Sequence, residues 1–220
     1  MTEILYRRTE EAGAIIFTPV PAPAPIVIAP EDIRVVAWGQ RIPESIRQQF
    51  LNSVCWIADM LQFQASWLMA CMAFETGRSF SPSVRNPNST ATGLIQFMER
   101  TAQSMGTTTA KLAAMTHIEQ LAYVYRYFKD VAGVGKLKNL GDVYMAIFSP
   151  QGIGRSDSYV LYDSKQRQYV VNRGLDLNAN GEITRGEAAD KVRQLYEEGM
   201  RPGNVWKGVV ETGIERKVAA

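Results

Sequence analysis

A buried central helix is predicted by the stretch Trp67-Leu68-Met69-Ala70-Cys71-Met72-Ala73-Phe74-Glu75-Thr76-Gly77 of this 220-residue chain. The eight residues before the Glu are uncharged and mostly apolar. Because no polar stripe interrupts them, a helix made of them is buried on all sides. Gly77 is a typical helix stop. The sequence therefore places one carboxylate, Glu75, at the point where a buried helix ends.

Two physical effects act on a carboxylate in that position. Neighbouring apolar side chains desolvate it, and it faces the negative end of the helix dipole. Both effects favour the protonated form, which a general acid needs near neutral pH. Arg78 would weaken them if its side chain folded back. A solvent-exposed Glu75 on a frayed last turn is the alternative interpretation.

Composition narrows the function classes. A hydrophobic content of 46% is enough for one sizeable core, or a core with a small satellite. The net charge of +2 fits a mild preference for anionic surfaces such as a bacterial envelope, and it does not indicate nucleic-acid binding. The single histidine, His117, excludes a histidine-rich zinc site. Cys55 and Cys71 lie in apolar helical stretches and are predicted to be buried free thiols.

Residues 1–37 are predicted to form an extended, Pro/Ala-rich N-terminal arm. Five prolines interrupt its apolar residues and favour a stiff polyproline-like conformation. Acidic residues precede the apolar run, so the segment does not resemble an export signal. No stretch approaches the roughly 20 apolar residues of a membrane span.

The remainder of the chain is predicted to be mainly α. Apolar residues recur every three or four positions in the segments 46–58, 111–115, 116–131 and 140–148. A polar stretch at 79–92 predicts a loop or a small hairpin. We assign a helical domain to residues 38–160 and a C-terminal segment to residues 161–220, whose helix at 186–199 is expected to pack back onto that domain.

A second motif follows the first and creates a family resemblance. Glu75-Thr76-Gly77 is followed, about twenty residues later, by Gly93-Leu94-Ile95-Gln96-Phe97. This ordered pair resembles the lysozyme-like lytic transglycosylases, and among them the phage peptidoglycan-degrading enzymes, over roughly residues 42–154. The resemblance implies a lysozyme-like helical domain with at most a small β-hairpin.

The resemblance also implies roles for individual residues. Glu75 matches the only catalytic carboxylate of the family, and Gln96 matches the glutamine that holds the sugar near the scissile bond. Thr76 replaces the more usual serine and keeps its hydroxyl. Gly93 permits close backbone approach to a glycan. The alternative for Gln96 is an amide that bonds a local backbone group.

The third family motif departs from the usual Ala-Tyr-Asn-Ala-Gly run, because the corresponding stretch here is Tyr144-Met145-Ala146-Ile147-Phe148-Ser149-Pro150-Gln151-Gly152. Tyr144, Phe148 and Tyr127 are candidate cleft residues, with core packing as the alternative. The full set of candidate sugar-contact residues is Thr76, Gly93, Ile95, Gln96, Tyr127, Tyr144 and Phe148.

A single acid suggests a particular reaction. Glycoside hydrolases generally use two carboxylates, and Asp142 and Glu99 have the pattern of surface residues. The resemblance therefore implies cleavage of the β-1,4 bond between N-acetylmuramic acid and N-acetylglucosamine in peptidoglycan, by Glu75 alone, with a 1,6-anhydro product. One alternative is a hydrolytic muramidase in which water attacks. Another is a non-catalytic virion or envelope-binding protein.

The C-terminal segment carries a second strong motif, which fits the twelve-residue EF-hand calcium loop at residues 176–187. The position of Gly181 matches the sharp turn of such loops. An Asn-Gly turn without an ion is the alternative. The candidate ligands are Asp176, Asn178, Asn180, Glu182 through its backbone carbonyl, Thr184 and Glu187.

The calcium is expected to be structural and weakly bound. Only two of the side-chain ligands are charged, which suggests dissociation constants on the order of 10⁻⁴–10⁻³ M. Catalysis needs no cofactor. We expect a monomeric, phage-encoded protein whose partner is bacterial peptidoglycan, without nucleic acid or a membrane span. It would be made in the host cytoplasm and act on the cell wall, or be carried in the virion.

Overall fold

The computed structural model describes residues 6–11, 14–19 and 32–212. Three short 3-10 helices accompany the regular elements. The helices are α1 (Glu44–Leu61), α2 (Ala65–Glu75), α3 (Glu99–Ser104), α4 (Thr109–Ala113), α5 (His117–Val131), α6 (Leu140–Phe148), α7 (Arg167–Asn172) and α8 (Arg185–Gly199). The strands are β1 (Tyr6–Glu11), β2 (Ala14–Pro19), β3 (Ile33–Val36), β4 (Val160–Asp163), β5 (Glu182–Thr184) and β6 (Trp206–Val209).

The strands form three antiparallel pairs, β1 with β2, β3 with β6 and β4 with β5. The prediction of a mainly α fold is confirmed. The expectation of at most one small hairpin is wrong, because β3 and β6 pair across almost the whole helical region. Such non-local pairing leaves no local signal in the sequence.

The chain divides into two compact units, Met1–Glu31 and Asp32–Ala220. In the first unit, β1 and β2 form an antiparallel hairpin, and the prolines beyond β2 lie outside the described residues. The second unit begins five residues before the end of the predicted arm. Strand β3 belongs to it, and the Ala37 amide donates to Ser66 Oγ at 3.0 Å.

Helix α2 is the centre of the second unit. Its residues from Leu68 to Ala73 are almost completely inaccessible, as the uninterrupted apolar run predicts. It packs against α1, α6 and α8, so apolar side chains surround it. The helix ends at Glu75, so this half-buried carboxylate lies at the edge of the core.

Helix α8 belongs to the same compact unit as the predicted helical domain of residues 38–160. It packs on α2 and α6. The indole nitrogen of Trp38 donates to the Leu195 carbonyl at 2.8 Å, and the Trp38 ring lies so close to Gly199 that a Cβ there would collide with it. The C-terminal segment is therefore joined to the helical core through the middle and the end of α8.

Cys55 and Cys71 are buried, as predicted, and no disulfide joins them in the described part of the chain. Thr116 caps α5 with a reciprocal capping box to Glu119. Within the described ranges, no helix is both long and apolar enough to cross a membrane.

Candidate active site

The end of α2 is fixed by Thr76. Its hydroxyl donates to the Met72 carbonyl at 2.6 Å and accepts from the Phe80 amide at 3.0 Å. The chain then turns through Gly77, whose φ of 57° is unfavourable for residues with a Cβ. Thr76 is buried, so its hydroxyl shapes the turn beside Glu75 and does not face a cleft.

Arg78 turns away from Glu75. Its guanidinium pairs with Glu198 at 2.7 Å and lies over the Trp38 ring, 5.9 Å from the ring centroid. The sequence left open whether this cation folds back to stabilise the ionised carboxylate of Glu75. The structure directs it to α8 instead.

Glu75 is half-buried, and burial raises its pKa to about 8. Within residues 32–212, no hydrogen bond or ion pair engages its carboxylate. Burial, followed by the charge of Glu75, raises the pKa of Tyr127 to about 12 and that of Tyr144 well above its usual range. The charge of Glu75 therefore acts on both tyrosines, and its carboxyl group keeps its proton at neutral pH.

The raised pKa predicts a pH-dependent stability. An unfolded chain loses the Glu75 proton near pH 4.5, whereas the folded protein keeps it until about pH 8. The wild-type protein therefore loses stability relative to Glu75→Gln as pH rises through this window. We expect a loss of up to about 5 kcal/mol, complete above pH 8, in urea unfolding at several pH values.

Glu99→Gln is the matched control for this experiment. Hydrogen bonds from the Thr109 side chain and backbone lower the pKa of Glu99. The contribution of Glu99 to stability is therefore lost only as pH falls below about 4.5. A pH-independent difference between wild type and Glu75→Gln from pH 4.5 to 8 would contradict the raised pKa.

Tyr127 forms one side of the Glu75 environment. It is half-buried, and its hydroxyl donates to the Ala146 carbonyl at 2.8 Å. Phe97 contacts its ring edge-to-face at a centroid distance of 5.9 Å. Tyr127 therefore connects the Gly93–Phe97 loop to Glu75.

A row of four aromatic side chains begins at Phe74, the residue before Glu75. Tyr144 is buried, and Phe74 packs against it edge-to-face at 5.5 Å. Phe148 stacks on Tyr144 at 5.5 Å with the two rings 7° from parallel, and Tyr162 contacts Phe148 at 5.9 Å. Phe148 and Tyr162 are half-buried and give the row its accessible surface, whereas Tyr144 serves as packing beneath them.

The loop that carries Gln96 is held by its own backbone. Thr92 and Phe97 exchange two amide–carbonyl bonds at 2.8 and 3.0 Å. Gln96 is half-buried, and its amide nitrogen donates to the carbonyls of Gly93 at 3.0 Å and Val84 at 3.3 Å. The local bonding that the sequence left open is therefore present. Ile95 is 2% exposed and packs in the core.

Gln120 positions this loop, and the sequence did not single it out. Its Oε1 accepts from the Leu94 amide at 2.6 Å, and its Nε2 donates to the carbonyls of Pro82 at 3.0 Å and Leu112 at 2.8 Å. A Cβ at Gly93 would collide with the Gln120 amide, so this glycine is needed for close approach. The available signal was a polar residue four positions before Val124, on the apolar face of α5.

Replacing Gln120 with Leu should destabilise the protein. The side chain is fully buried, so the change leaves the Leu94 amide and the Pro82 carbonyl without partners, whereas the Leu112 carbonyl keeps the Met115 amide. We expect a loss of at least about 1–3 kcal/mol in chemical unfolding, and slower glycan cleavage because the loop is displaced. Gln103→Leu is the control, since Gln103 is exposed and bonds only Glu99. Equal stability of the two variants would exclude this role for Gln120.

The expectation that Asp142 is a surface residue is wrong. It is 1% exposed and pairs with the buried Arg185 at 2.8 Å. Glu99 is half-buried and bonds Thr109 and Gln103. Both carboxylates are used in local structure, and burial alone raises the pKa of Glu75. No second carboxylate of the described residues contributes to that shift.

Residues 176–187 begin with a series of tight turns after α7 and continue through β5 into the first turn of α8. Asp176 accepts from the amides of Asn180 at 3.2 Å and Gly181 at 3.0 Å. Asn178 Oδ1 accepts from Asn180 at 3.0 Å, and Asn180 Oδ1 accepts from the Glu182 amide at 2.9 Å. These bonds bring successive side-chain oxygens towards the inside of one turn.

The end of this loop is closed by Glu187. Its Oε1 accepts from the Leu177 amide at 3.2 Å, and its Oε2 accepts from the Thr184 amide at 2.9 Å and hydroxyl at 2.7 Å. In the described part of the chain, no group of three or more His, Cys, Asp or Glu residues could hold a metal ion. A cation at this loop would therefore need amide, hydroxyl and carbonyl oxygens beside the carboxylates, which suits calcium.

No known family model matches this chain, and no curated protein matches it. The function must therefore be argued from the chemistry of Glu75, its aromatic surroundings and the loop 176–187.

Proposed function

We propose that this protein cleaves the β-1,4 bond between N-acetylmuramic acid and N-acetylglucosamine in bacterial peptidoglycan, with Glu75 as its single general acid and base. The observation that carries the proposal is the half-buried carboxyl group of Glu75, which has no ion-pair partner among residues 32–212. Burial raises its pKa to about 8. A group in this state can donate a proton at neutral pH.

The reaction begins with the proton of Glu75. It passes to the glycosidic oxygen while the bond from C1 to that oxygen breaks and its electron pair stays on the oxygen. The N-acetyl group of the muramic acid stabilises the positive charge at C1. The C6 hydroxyl oxygen then bonds to C1, and its proton returns to Glu75. The products are a free hydroxyl and a 1,6-anhydro ring, and no water is consumed.

The surroundings of Glu75 support a saccharide substrate. The rings of Tyr127, Phe148 and Tyr162 are half-buried and offer flat apolar surfaces, and the charge of Glu75 acts on Tyr127. Tyr127 links the two family-like motifs, Glu75–Gly77 and Gly93–Phe97. Phe97 packs on its ring, and burial, followed by the charge of Glu75, raises its pKa. We accordingly propose a lysozyme-like arrangement of the catalytic helices.

Clearing of a purified peptidoglycan suspension tests this function. We expect the full-length protein to reduce turbidity at neutral pH, with a rate that falls above about pH 8 as Glu75 ionises. An envelope-binding protein without activity would sediment with the peptidoglycan and leave the turbidity unchanged, which would contradict the proposal.

We propose that residues 176–187 bind one calcium ion weakly. Side-chain oxygens of Asp176, Asn178, Asn180, Thr184 and Glu187 and the carbonyl of Glu182 would hold it. The ion would neutralise carboxylates that now accept backbone amides and would brace the loop between α7 and α8. No catalytic step involves this ion.

Calcium should raise the melting temperature. With a dissociation constant of 10⁻⁴–10⁻³ M, adding 10 mM calcium stabilises the folded state by about 1.4–2.7 kcal/mol. A chain of this length should then melt about 3–10 °C higher. Glu187→Gln should remove the shift and keep the capping box. Glu182→Gln is the control and should retain the shift, because only the carbonyl of Glu182 would be a ligand.

We further propose a monomeric, phage-encoded enzyme whose partner is peptidoglycan. It would reach the cell wall from the host cytoplasm at lysis or with the virion at entry. The half-buried aromatic surface beside Glu75 fits a glycan strand, and neither a nucleic acid nor a membrane is needed for this chemistry.

A further inference from the structure

Helix α6 is held at its N-terminal end by Arg185. This residue follows strand β5 directly, and its Nη2 donates to Asp142 Oδ1 and Asn139 Oδ1, both at 2.8 Å. Arg185 is 3% exposed and Asp142 is 1% exposed, so the ion pair is shielded from water. A shielded pair of this kind resists separation, because either charge alone would be buried without compensation.

Other bonds fix the guanidinium in place. Its Nε donates to the Gly152 carbonyl at 3.0 Å, and its Nη1 bonds Asp157. A Cβ at Gly141 would clash with the guanidinium, so Arg185 rests directly on the backbone of α6. Displacement of Arg185 therefore displaces the first turn of α6.

The C-terminal end of α6 is held by Tyr162. Its hydroxyl donates to Ser149 Oγ at 3.0 Å, and Ser149 is the residue that caps the helix. Tyr162 lies on β4, where it pairs in register with Ile183 of β5. Strand β5 thus determines the positions of both residues that hold α6.

Both ends of α6 are consequently linked to the loop 176–187 and to the Glu75 site. Strand β5 is part of that loop, and the proposed calcium ligands Thr184 and Glu187 flank Arg185 in sequence. Helix α6 carries Tyr144, which packs edge-to-face against Phe74, the residue before Glu75, and Phe148, which stacks on Tyr144.

We infer that Arg185 and Tyr162 are positioning residues that couple the loop 176–187 to the saccharide site, so that calcium and glycan strengthen each other's binding. This inference rests on the proposed function. A cation that orders Thr184 and Glu187 restricts β5, Arg185 and Tyr162, and hence α6. A saccharide that binds against Phe148 then costs less conformational entropy, because α6 is already ordered. Because coupling is reciprocal, each ligand must raise the affinity for the other by the same factor.

Calorimetry on the full-length Glu75→Gln protein measures this coupling without cleavage of the sugar. Calcium chloride is titrated with and without a saturating peptide-free tetrasaccharide of alternating N-acetylglucosamine and N-acetylmuramic acid. We expect the calcium dissociation constant to fall at least about fivefold when the tetrasaccharide is bound. The reverse titration should give the same factor.

Variants test the route through α6. Arg185→Met should reduce the ratio of the calcium dissociation constants without and with tetrasaccharide to about one. Tyr162→Phe removes only a hydroxyl and keeps the packing, and it should also reduce this ratio. Arg34→Met is the matched control. Arg34 pairs with Asp32 at 2.6 Å and Asp59 at 2.7 Å between β3 and α1, and its loss should leave the factor unchanged.

The outcomes are distinguishable. Equal calcium affinities with and without the tetrasaccharide would overturn the coupling while both binding sites stand. Coupling that survives both Arg185→Met and Tyr162→Phe would overturn the role of these residues. Absence of any calcium binding would overturn the inference together with the calcium site, whereas absence of tetrasaccharide binding would overturn the glycan function itself.

Discussion

Glu75→Gln is expected to reduce peptidoglycan cleavage by at least about 10²–10⁴-fold while the protein stays folded. The amide cannot donate the proton that the leaving oxygen needs, and it cannot take the proton of the C6 hydroxyl. Burial makes the wild-type carboxyl a proton donor at neutral pH by raising its pKa to about 8. Turbidity clearing measures the rate, and thermal melting measures the fold.

The melting temperature of Glu75→Gln at pH 7 should equal or exceed that of the wild type. The reason is that the buried carboxyl group ionises on unfolding at pH 7, which favours the unfolded state, whereas a neutral amide cannot ionise. Glu99→Gln is the activity control, because Glu99 bonds Thr109 at the start of α4 and should not act on the sugar. Clearing that persists in Glu75→Gln, or that is lost equally in Glu99→Gln, would contradict the single-acid assignment.

Asp142→Ala should cause the largest loss of stability. Asp142 accepts four bonds, from the amides of Lys138 and Gly154, the Asn139 side chain and the buried Arg185. Removing it leaves a cation in the core with only part of its compensation. Breaking such a pair costs about 3–5 kcal/mol, so the melting temperature should fall by at least about 6 °C.

Two further variants interpret that loss. Asp130→Ala removes the exposed partner of Arg126, whose pair spans 3.8 Å on the surface of α5, and should change stability by less than about 0.5 kcal/mol. The double variant Asp142→Leu with Arg185→Met should be more stable than Asp142→Ala, because no buried charge remains unpaired. An Asp142→Ala protein as stable as Asp130→Ala would refute the structural role of the pair.

Local patterns predicted much of the helical framework. The apolar run before Glu75 indicated a fully buried helix, and the boundaries of 140–148 agree with α6. The burial of Cys55 and Cys71 also followed from neighbours in sequence. These features depend on interactions within one helix, which is why the sequence reveals them.

The features that escaped prediction are long-range. Arg185 and Asp142 are 43 positions apart. Each is a charged residue, which its neighbours in sequence would place at the surface. Trp206–Val209 forms a strand because Ile33–Val36 lies beside it. Gln120 was overlooked because its partners are in two other segments of the chain. Burial of a polar side chain becomes predictable only when its partners are known.

Mass spectrometry of the fragments released from peptidoglycan tests the central claim most directly. If Glu75 is the single acid and base and takes the C6 hydroxyl proton, the fragments end in 1,6-anhydromuramic acid. These ends are one water lighter than hydrolysed ends, and they should be lost in Glu75→Gln. Fragments that carry only hydrated reducing ends would contradict this account and show that water attacks C1.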